Sequence, residues 1–520
     1  MRQLQMLIVT ILFLATSSVA AVHTSPAELP AAVTLEMKHL EETYRVLDIV
    51  ATKIWPGWTD YRQVPFLFNF ENGLRVLIGH PNPPRDFQIA PDLRCAGRPV
   101  AIDRTKAVAL ELKAPLRAGG GPISFGQTAD GKDVRIVDMS FTRPDSRKDD
   151  SDPDQETTTT ESQILVYLHE LFHCFQSEHV KTQLSGNFRF NPDLNYAIYS
   201  ELEGLALLLS YREPDADKAR TILRDFLVAR QLKRSGSMTA QQANEESSDE
   251  FREGGATYAE MRALEVLKAR GFTQGLTEAE DPEYHGFAGA GGMLQRYTKR
   301  LEKDAAQSAD NYSKSYTYGA FQALLCERLF PGWQESLVSG TRFLDLEIGK
   351  RLPIPPEERA SIERRFSEGY PVDKIRERHA TFLKARDSAY RQVKARTGRV
   401  YVLDFKQTRQ FIGSLAKTKD SYSIGLTNVQ PEGMPGFKFD DVELSRVTAP
   451  AEIDQLYYIR IVDTDWKTRS EPFKLSGDKQ PDGTWKNARV QTPLFTLTAP
   501  RVRVKEAGPR VKIQVLSRVK

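Results

Sequence analysis

Apolar and polar residues change their spacing twice along the chain, which divides it into three stretches. Residues 33–53 carry apolar side chains at helical spacing and predict a helix. Short apolar runs separated by Gly, Pro and Asp then predict five strands: FLFNF (66–70), LRVLIGH (74–80), AVALELK (107–113), PISFG (122–126) and VRIVDMSF (134–141). From about residue 160 to 390 the helical period returns.

After Gly398 the pattern alternates again and predicts a separate small all-β domain, of the sandwich type. We interpret the basic stretch at its end, RVRVKEAGPRVKIQVLSRVK, as a solvated edge strand protected by its charges. The chain is therefore predicted to be α+β. Its predicted divisions are a signal peptide (1–20), a strand-rich part (21–159), a helical part (160–395) and a β domain (396–520).

The first twenty residues have the pattern of a secretory signal peptide. Arg2 precedes the apolar run 6–15, which is too short to span a bilayer, and small residues follow up to Ala20. We expect a secreted or periplasmic protein with no transmembrane segment in its mature chain, because no later apolar run approaches the ~20 residues needed.

Composition narrows the class of protein further. The chain has 40% hydrophobic and 27% charged residues, as is ordinary for a globular protein, and its formal net charge of +3 gives no general reason to expect nucleic acid or an anionic membrane as a partner. Three cysteines in 520 residues are too few for a disulfide scaffold. We expect Cys95, Cys174 and Cys326 to be structural free thiols.

The sequence LHELFHCFQSEH (168–179) carries the candidate chemistry. His169 and His173 lie one helical turn apart, so both imidazoles can reach one cation, and Glu170 lies about 100° round the helix, where it can act on water. The surrounding residues are apolar nearly all round, and Thr160 with Gln163 predicts a capping box at the helix start. Buried histidines need partners, and Zn²⁺ provides one.

A third metal ligand has two possible sources. His179 lies where metzincins keep their third histidine, but Gln176 replaces the glycine that ends their helix. In a continuing helix His179 is about 280° round the axis and ~15 Å along it from His169, and therefore faces away.

The other source is a glutamate on a second helix. YSELEGLALLLSY offers Glu203 with Glu201 beside it, and EFREGGATYAEMRALE offers Glu253. The small residues after Glu253 leave more room for two helices to approach. We predict that Glu250 and Glu260 are helix-surface charges.

These motifs resemble those of the gluzincin metallopeptidases, and more closely a set of uncharacterised bacterial exported gluzincin-like proteins. The resemblance covers roughly residues 160–335 and rests on HELFHCFQ, EGLALLLS, EGGATY and YTYGAFQALLCERLFPGW, in that order. It implies a zincin-like catalytic domain and zinc held by His169, His173 and Glu253, with Glu203 as the alternative ligand or a supporting carboxylate. Gly255 departs from the leucine that is commoner there.

The predicted function is hydrolysis of peptide bonds in a peptide or protein substrate, with Glu170 as the base that activates water. The resemblance adds Tyr258, Tyr318 or Tyr316 as donors to the oxyanion, and the strand VRIVDMSF as the sheet edge that holds the substrate. Two alternatives stay open. One is a non-catalytic zinc-binding scaffold whose β domain binds a partner, and the other is metal-assisted hydrolysis of a different bond.

Overall fold

The structure is a computed structural model that describes residues 29–108, 112, 116–142, 159–179, 192–307, 311–339, 343–408, 422–424, 427–439, 442–454, 457–468 and 473–516. The predicted signal peptide and most of the polar segment 142–161 lie outside this set. The described chain is α+β, with one sheet in its N-terminal part and an all-β sheet in its C-terminal part. Each helix in the described ranges is too short or too polar to traverse a bilayer.

The described helices are α1 (Ala31–Ile54), α2 (Thr160–His179), α3 (Leu194–Arg212), α4 (Ala216–Ser237), α5 (Ala240–Asp249), α6 (Gly255–Arg270), α7 (Ala290–Gln307), α8 (Asn311–Leu329), α9 (Trp333–Ser339), α10 (Leu344–Arg351), α11 (Pro356–Gly369) and α12 (Val372–Ala395). A π-helical turn, Glu250–Gly254, joins α5 to α6. The predicted helix at 33–53 is confirmed as α1.

The described strands are β1 (Phe66–Phe70), β2 (Arg75–Ile78), β3 (Gln88–Cys95), β4 (Arg98–Asp103), β5 (Arg117–Gln127), β6 (Asp133–Thr142), β7 (Arg399–Asp404), β8 (Tyr422–Ile424), β9 (Thr427–Gln430), β10 (Phe437–Phe439), β11 (Val442–Leu444), β12 (Ala451–Asp454), β13 (Tyr458–Asp463), β14 (Lys474–Lys479), β15 (Thr484–Gln491), β16 (Thr496–Ala507) and β17 (Arg510–Val515). Of the predicted strand 107–113, residues 107, 108 and 112 lie in no strand, and the others lie outside the described residues.

The chain divides into two compact units that do not follow the predicted divisions. Unit 1 contains Met1–Gln183, Arg252–Leu301 and Gly332–Arg342, and unit 2 contains Leu184–Phe251, Glu302–Pro331 and Phe343–Lys520. The helical stretch 160–395 is thus shared between the units. The C-terminal strands belong to the same unit as α3, α4 and α5.

The sheet of unit 1 has the strand order β3-β4-β2-β1-β6-β5. Among the described strand pairs of this sheet, β1 and β6 are parallel and the others are antiparallel. Every residue of β1 except Asn69 is buried. The prediction that VRIVDMSF forms the sheet edge is wrong: this strand, β6, lies between β1 and β5. The edge strand next to β6 is β5. A Cβ added at Gly120 in this strand would lie 2.0 Å from the carbonyl oxygen of Asp138 in β6. Glycine is therefore required for β5 to approach β6.

Helix α2 packs against α1, α6 and β5 within unit 1. Its apolar side is fixed by an aromatic cluster in which the rings of Phe172 and Phe175 lie 5.1–6.1 Å from those of Trp55 and Trp58. Aromatic pairs at such distances add favourable packing beyond the area they bury. The cluster therefore fixes the position of the helix that carries both histidines.

The start of α2 differs from the predicted capping box. Thr159, one residue earlier, is the cap, because its Oγ1 accepts the backbone N–H of Ser162 at 3.2 Å. The hydroxyl of Thr160 instead donates to Asp281 at 2.6 Å, and Gln163 donates to Glu36 at 3.4 Å. Both side chains therefore connect α2 to neighbouring elements of unit 1.

In unit 2 helix α3 packs against α4, α8 and α12, and the described C-terminal strands form one hydrogen-bonded network of eleven strands, in which β16 pairs with β11, β15 and β17. The basic C-terminal strand β17 is not an edge, because β16 and β7 flank it. The prediction of structural free thiols is confirmed: Cys95, Cys174 and Cys326 are free and buried.

Candidate metal centre

Three buried side chains of unit 1 converge on one point. Glu253 Oε2 lies 3.3 Å from Nε2 of His173 and 3.4 Å from Nε2 of His169. The two imidazole rings are 4.6 Å apart and nearly perpendicular. The three residues are at most 9% exposed, and together they could hold a metal ion.

Two helical elements supply this group. His169 and His173 lie one turn apart on α2, and Glu253 comes from the π-helical turn before α6. A π turn inserts an extra residue and is frequent at functional sites, because it redirects the side chains around it. The second oxygen of Glu253 is 2.6 Å from Arg252 Nη2, so both carboxylate oxygens have a fixed direction.

In each histidine the nitrogen that points away from Glu253, Nδ1, has a hydrogen-bond partner of its own. His169 Nδ1 hydrogen-bonds Glu260, whose second oxygen accepts the hydroxyl of Tyr297. His173 Nδ1 lies 2.9 Å from Oε1 of Gln176. Such partners fix the tautomer and orientation of a metal-binding imidazole. Both rings therefore direct Nε2 towards Glu253.

Glu260 corrects the prediction of a helix-surface charge. It is 7% exposed and bonded to His169 instead of to solvent. The sequence spacing could have indicated this role, because Glu260 lies seven positions after Glu253 and positions seven apart in a helix lie on the same face. Glu250, predicted in the same way, is also buried and pairs with Arg230 at 2.7 Å.

Electrostatics keep Glu253 ionised. Burial acts to raise the pKa of its carboxyl, but hydrogen bonds with His169 and His173 and the nearby charge of Arg252 hold that pKa far below its usual range. For His169, burial acts to lower the pKa and hydrogen bonds with Glu253 and Glu260 raise it well above its ordinary value. An anionic oxygen among imidazoles is a typical donor set for a divalent metal.

Glu170 has the properties expected of a base at this centre. It is 8% exposed, and burial raises its pKa, although the charges of His169 and His173 oppose that shift. Its Oε2 has no hydrogen-bond partner within the described ranges. A Cβ on Gly121 of the edge strand β5 would lie 3.9 Å from that oxygen. The carboxylate therefore borders the edge of the sheet.

Glu203, the alternative ligand, is not part of this group. Its carboxylate pairs in unit 2 with Lys233 Nζ at 2.6 Å and with Arg230 at 3.3 Å. Glu201 beside it hydrogen-bonds His379 at 2.8 Å. Both glutamates are buried beside cations, Glu203 with Lys233 and Arg230 and Glu201 with Arg378.

His179 is also outside the metal-ligand group. Gln176 lets α2 continue to His179, as predicted, and the imidazole Nε2 lies 3.2 Å from Asp60 Oδ2. Asp60, Glu178 and His179 offer ligand atoms within 4.8 Å of one another, but they are more exposed than the other three residues. LHELFHCFQSEH thus supplies two ligands of the buried centre.

The tyrosines proposed as oxyanion donors pack inside the protein. Tyr258 lies in α6, fully buried, with its ring edge-on to Trp333 at 5.6 Å. Tyr318 lies in α8 and donates its hydroxyl to the carbonyl oxygen of Ser200 at 2.6 Å. Tyr316 is half-buried on the same helix. The contacts described for Tyr258 and Tyr318 are those of packing residues.

Comparison with protein-family models, with curated proteins and with solved structures found no match for this chain.

Proposed function

We propose that the chain is an exported, zinc-dependent metallopeptidase with a zincin-like catalytic domain. The observation that carries the proposal is the convergence of His169, His173 and Glu253 on one point beside the buried carboxylate of Glu170. A purely structural zinc site is usually closed by a fourth protein ligand and needs no base. Export follows from the signal-peptide pattern of residues 1–20.

The donor set favours zinc over other common ions. Zinc bonds of about 2.0–2.2 Å at tetrahedral angles place neighbouring ligand atoms about 3.3–3.6 Å apart. The distances from Glu253 Oε2 to the two imidazole nitrogens, 3.3 and 3.4 Å, match this spacing. Calcium and magnesium prefer six or more oxygen ligands, which a set of two nitrogens and one carboxylate does not provide.

The bound metal and Glu170 would have different roles in hydrolysis. Zinc bound here supplies Lewis acidity, which polarises a carbonyl and acidifies water. Glu170 removes a proton from the attacking water as its oxygen bonds to the peptide carbon, and returns that proton to the amine as the C–N bond breaks. Burial suits Glu170 to this exchange, because it raises the pKa of the carboxyl towards neutrality.

The edge strand β5 suits an extended peptide. Its outer side pairs with no strand within the described ranges, and it presents three consecutive glycines, Gly119–Gly121, beside Glu170. Gly119 has open space where a Cβ would be. An added strand would hydrogen-bond to this edge and place one of its carbonyls near the metal-ligand group.

Metal content and hydrolysis measured on the same samples test the proposal. We expect about one zinc per chain, lost in Glu253→Ala but retained in Glu203→Ala, and hydrolysis of a mixed peptide library that a chelator abolishes. Glu170→Gln is the matched variant: it should keep zinc and lose hydrolysis by 10²-fold or more, since a general base contributes roughly that much.

The alternatives predict different results. Stoichiometric zinc with no cleavage of any peptide, and no difference between wild type and Glu170→Gln, would support a non-catalytic scaffold. Cleavage of esters or other bonds without peptides would indicate a different substrate for the same centre. A wild-type chain that takes up no zinc when it is offered would refute the metal site itself.

A further inference from the structure

Gln176 occupies an unusual place for an amide. It is 1% exposed, three residues beyond His173 on α2, and its Oε1 lies 2.9 Å from the Nδ1 of that imidazole. An amide oxygen only accepts, so this contact requires the proton of a neutral ring on Nδ1 and leaves the lone pair on Nε2. A reversed amide would donate to Nδ1 and force the proton onto Nε2, the nitrogen that faces Glu253.

Gly255 makes room for this amide. A Cβ added at Gly255 would lie 2.7 Å from Gln176 Nε2 and 3.5 Å from a ring carbon of Phe172. Side-chain ends often yield to such an approach, but this one is buried and bonded to His173. Displacing it would break the contact with the imidazole. Glutamine at 176, where metzincins have glycine, and glycine at 255, where leucine is commoner, therefore lie against each other.

The two histidines consequently have different supports. His169 is backed by the carboxylate of Glu260, whereas His173 is backed by a neutral amide. A carboxylate raises the basicity of a metal-binding imidazole, and an amide orients the ring without adding charge. The net negative charge around the metal-ligand group thus stays lower than with two carboxylate supports.

We propose that Gln176 is a positioning residue that holds His173 in its Nε2-ligating tautomer, and that Gly255 is required because it seats Gln176. The proposal rests on the proposed zinc function and adds two residues that together position one of its ligands. Gln176 supports the imidazole, and Gly255 leaves the space that its amide occupies.

Zinc affinity gives the first test. The dissociation constant is measured on the purified chain by competition with a chromophoric chelator. Gln176→Ala should weaken zinc binding about 10–100-fold, the usual effect of removing such a partner. Gln176→Glu retains an acceptor and should stay within about threefold of wild type.

A double-mutant cycle tests the pairing. Gly255→Ala should weaken binding about tenfold in the wild-type background and less than about twofold in the Gln176→Ala background, where no amide remains to displace. Gly292→Ala on α7 is the control, because the nearest atom to its Cβ would be 3.8 Å away. An equal effect of Gly255→Ala in both backgrounds would show a general packing role and overturn the pairing.

Imidazole nitrogen shifts of ¹⁵N-histidine-labelled, metal-free protein give a readout independent of activity. The Nδ1 of His173 should carry a hydrogen-bonded proton in the wild type, and its shift should change in Gln176→Ala, where the amide acceptor is missing. Unchanged shifts and unchanged zinc affinity in Gln176→Ala would overturn this inference while leaving the zinc site intact. A wild-type chain that binds no zinc would overturn both the proposed function and this inference.

Discussion

A buried histidine in α1 provides a quantitative test of the interactions that position α2, the helix that carries His169 and His173. His39 is 5% exposed, and its ring nitrogens lie 3.2 Å from Glu36 and 2.8 Å from Asp281. The same two carboxylates accept hydrogen bonds from α2: Asp281 from the hydroxyl of Thr160 and Glu36 from that of Tyr167. His39 therefore neutralises the acidic pair that connects the start of α2 to the rest of unit 1.

The size of its contribution follows from its protonation. Burial acts to lower the pKa of His39, but hydrogen bonds with Asp281 and Glu36 outweigh it and raise that pKa from 6.5 to about 9. Such a rise corresponds to about 3 kcal/mol of folding free energy. Because the folded pKa lies above the unfolded one, this stabilisation is complete below pH 6.5 and is lost as the pH rises through 9.

We therefore expect His39→Gln to lower the free energy of unfolding by about 3 kcal/mol at pH 6, and the difference from wild type to shrink towards zero by pH 10. Urea unfolding of both proteins, followed by tryptophan fluorescence at several pH values, measures this difference. His285→Gln is the control, because His285 is exposed. A difference that stays constant between pH 6 and 10 would refute a charged His39.

Two further predictions concern packing and charge. Lys233 is fully buried and donates to Glu203 and Glu246 at 2.6 and 2.7 Å. Lys233→Met should destabilise unit 2 by roughly 3–5 kcal/mol, because it removes a buried ammonium that compensates both carboxylates. Urea unfolding measures this loss, with Lys218→Met at an exposed position of the same helix as the control. Gly120→Ala should displace β5 from β6 and reduce any peptide hydrolysis, whereas Gly289→Ala, outside this sheet and with open space at its Cβ, should leave the rate unchanged. Equal rates in the two glycine variants would argue against a role for this edge.

The elements with a strong period were predictable. FLFNF corresponds residue for residue to β1, and the helical period marked α1 and α2 to within about two residues at each end. Strand β3 was missed because it is exposed at most positions and contains Pro91, so it has no alternating apolar face. Its pairing with β4 comes from hydrogen bonds that leave no trace in hydrophobicity.

Strand order was beyond the reach of periodicity. Nothing in the sequence of β6 distinguishes an inner strand from an edge, because β6 pairs in parallel with β1, more than sixty residues earlier, and antiparallel with β5. The cap of α2 was misplaced for a simpler reason. Thr159 and Thr160 are adjacent and chemically identical, and only tertiary contacts decide which hydroxyl faces the helix and which faces Asp281.

The π turn at Glu250–Gly254 shows how a weak local signal can mark a site. Two consecutive glycines disfavour a helix by about 1 kcal/mol each relative to alanine, so helix propensity alone argues against a regular helix just after Glu253. In the structure Gly254 ends the π turn, and Gly255 starts α6 where a Cβ would strike Gln176. Local propensity and the geometry of the centre therefore oppose each other at these positions. Such a conflict is expected where residues serve a site rather than the helix, so glycines that disfavour the helix are themselves a signal of the candidate site.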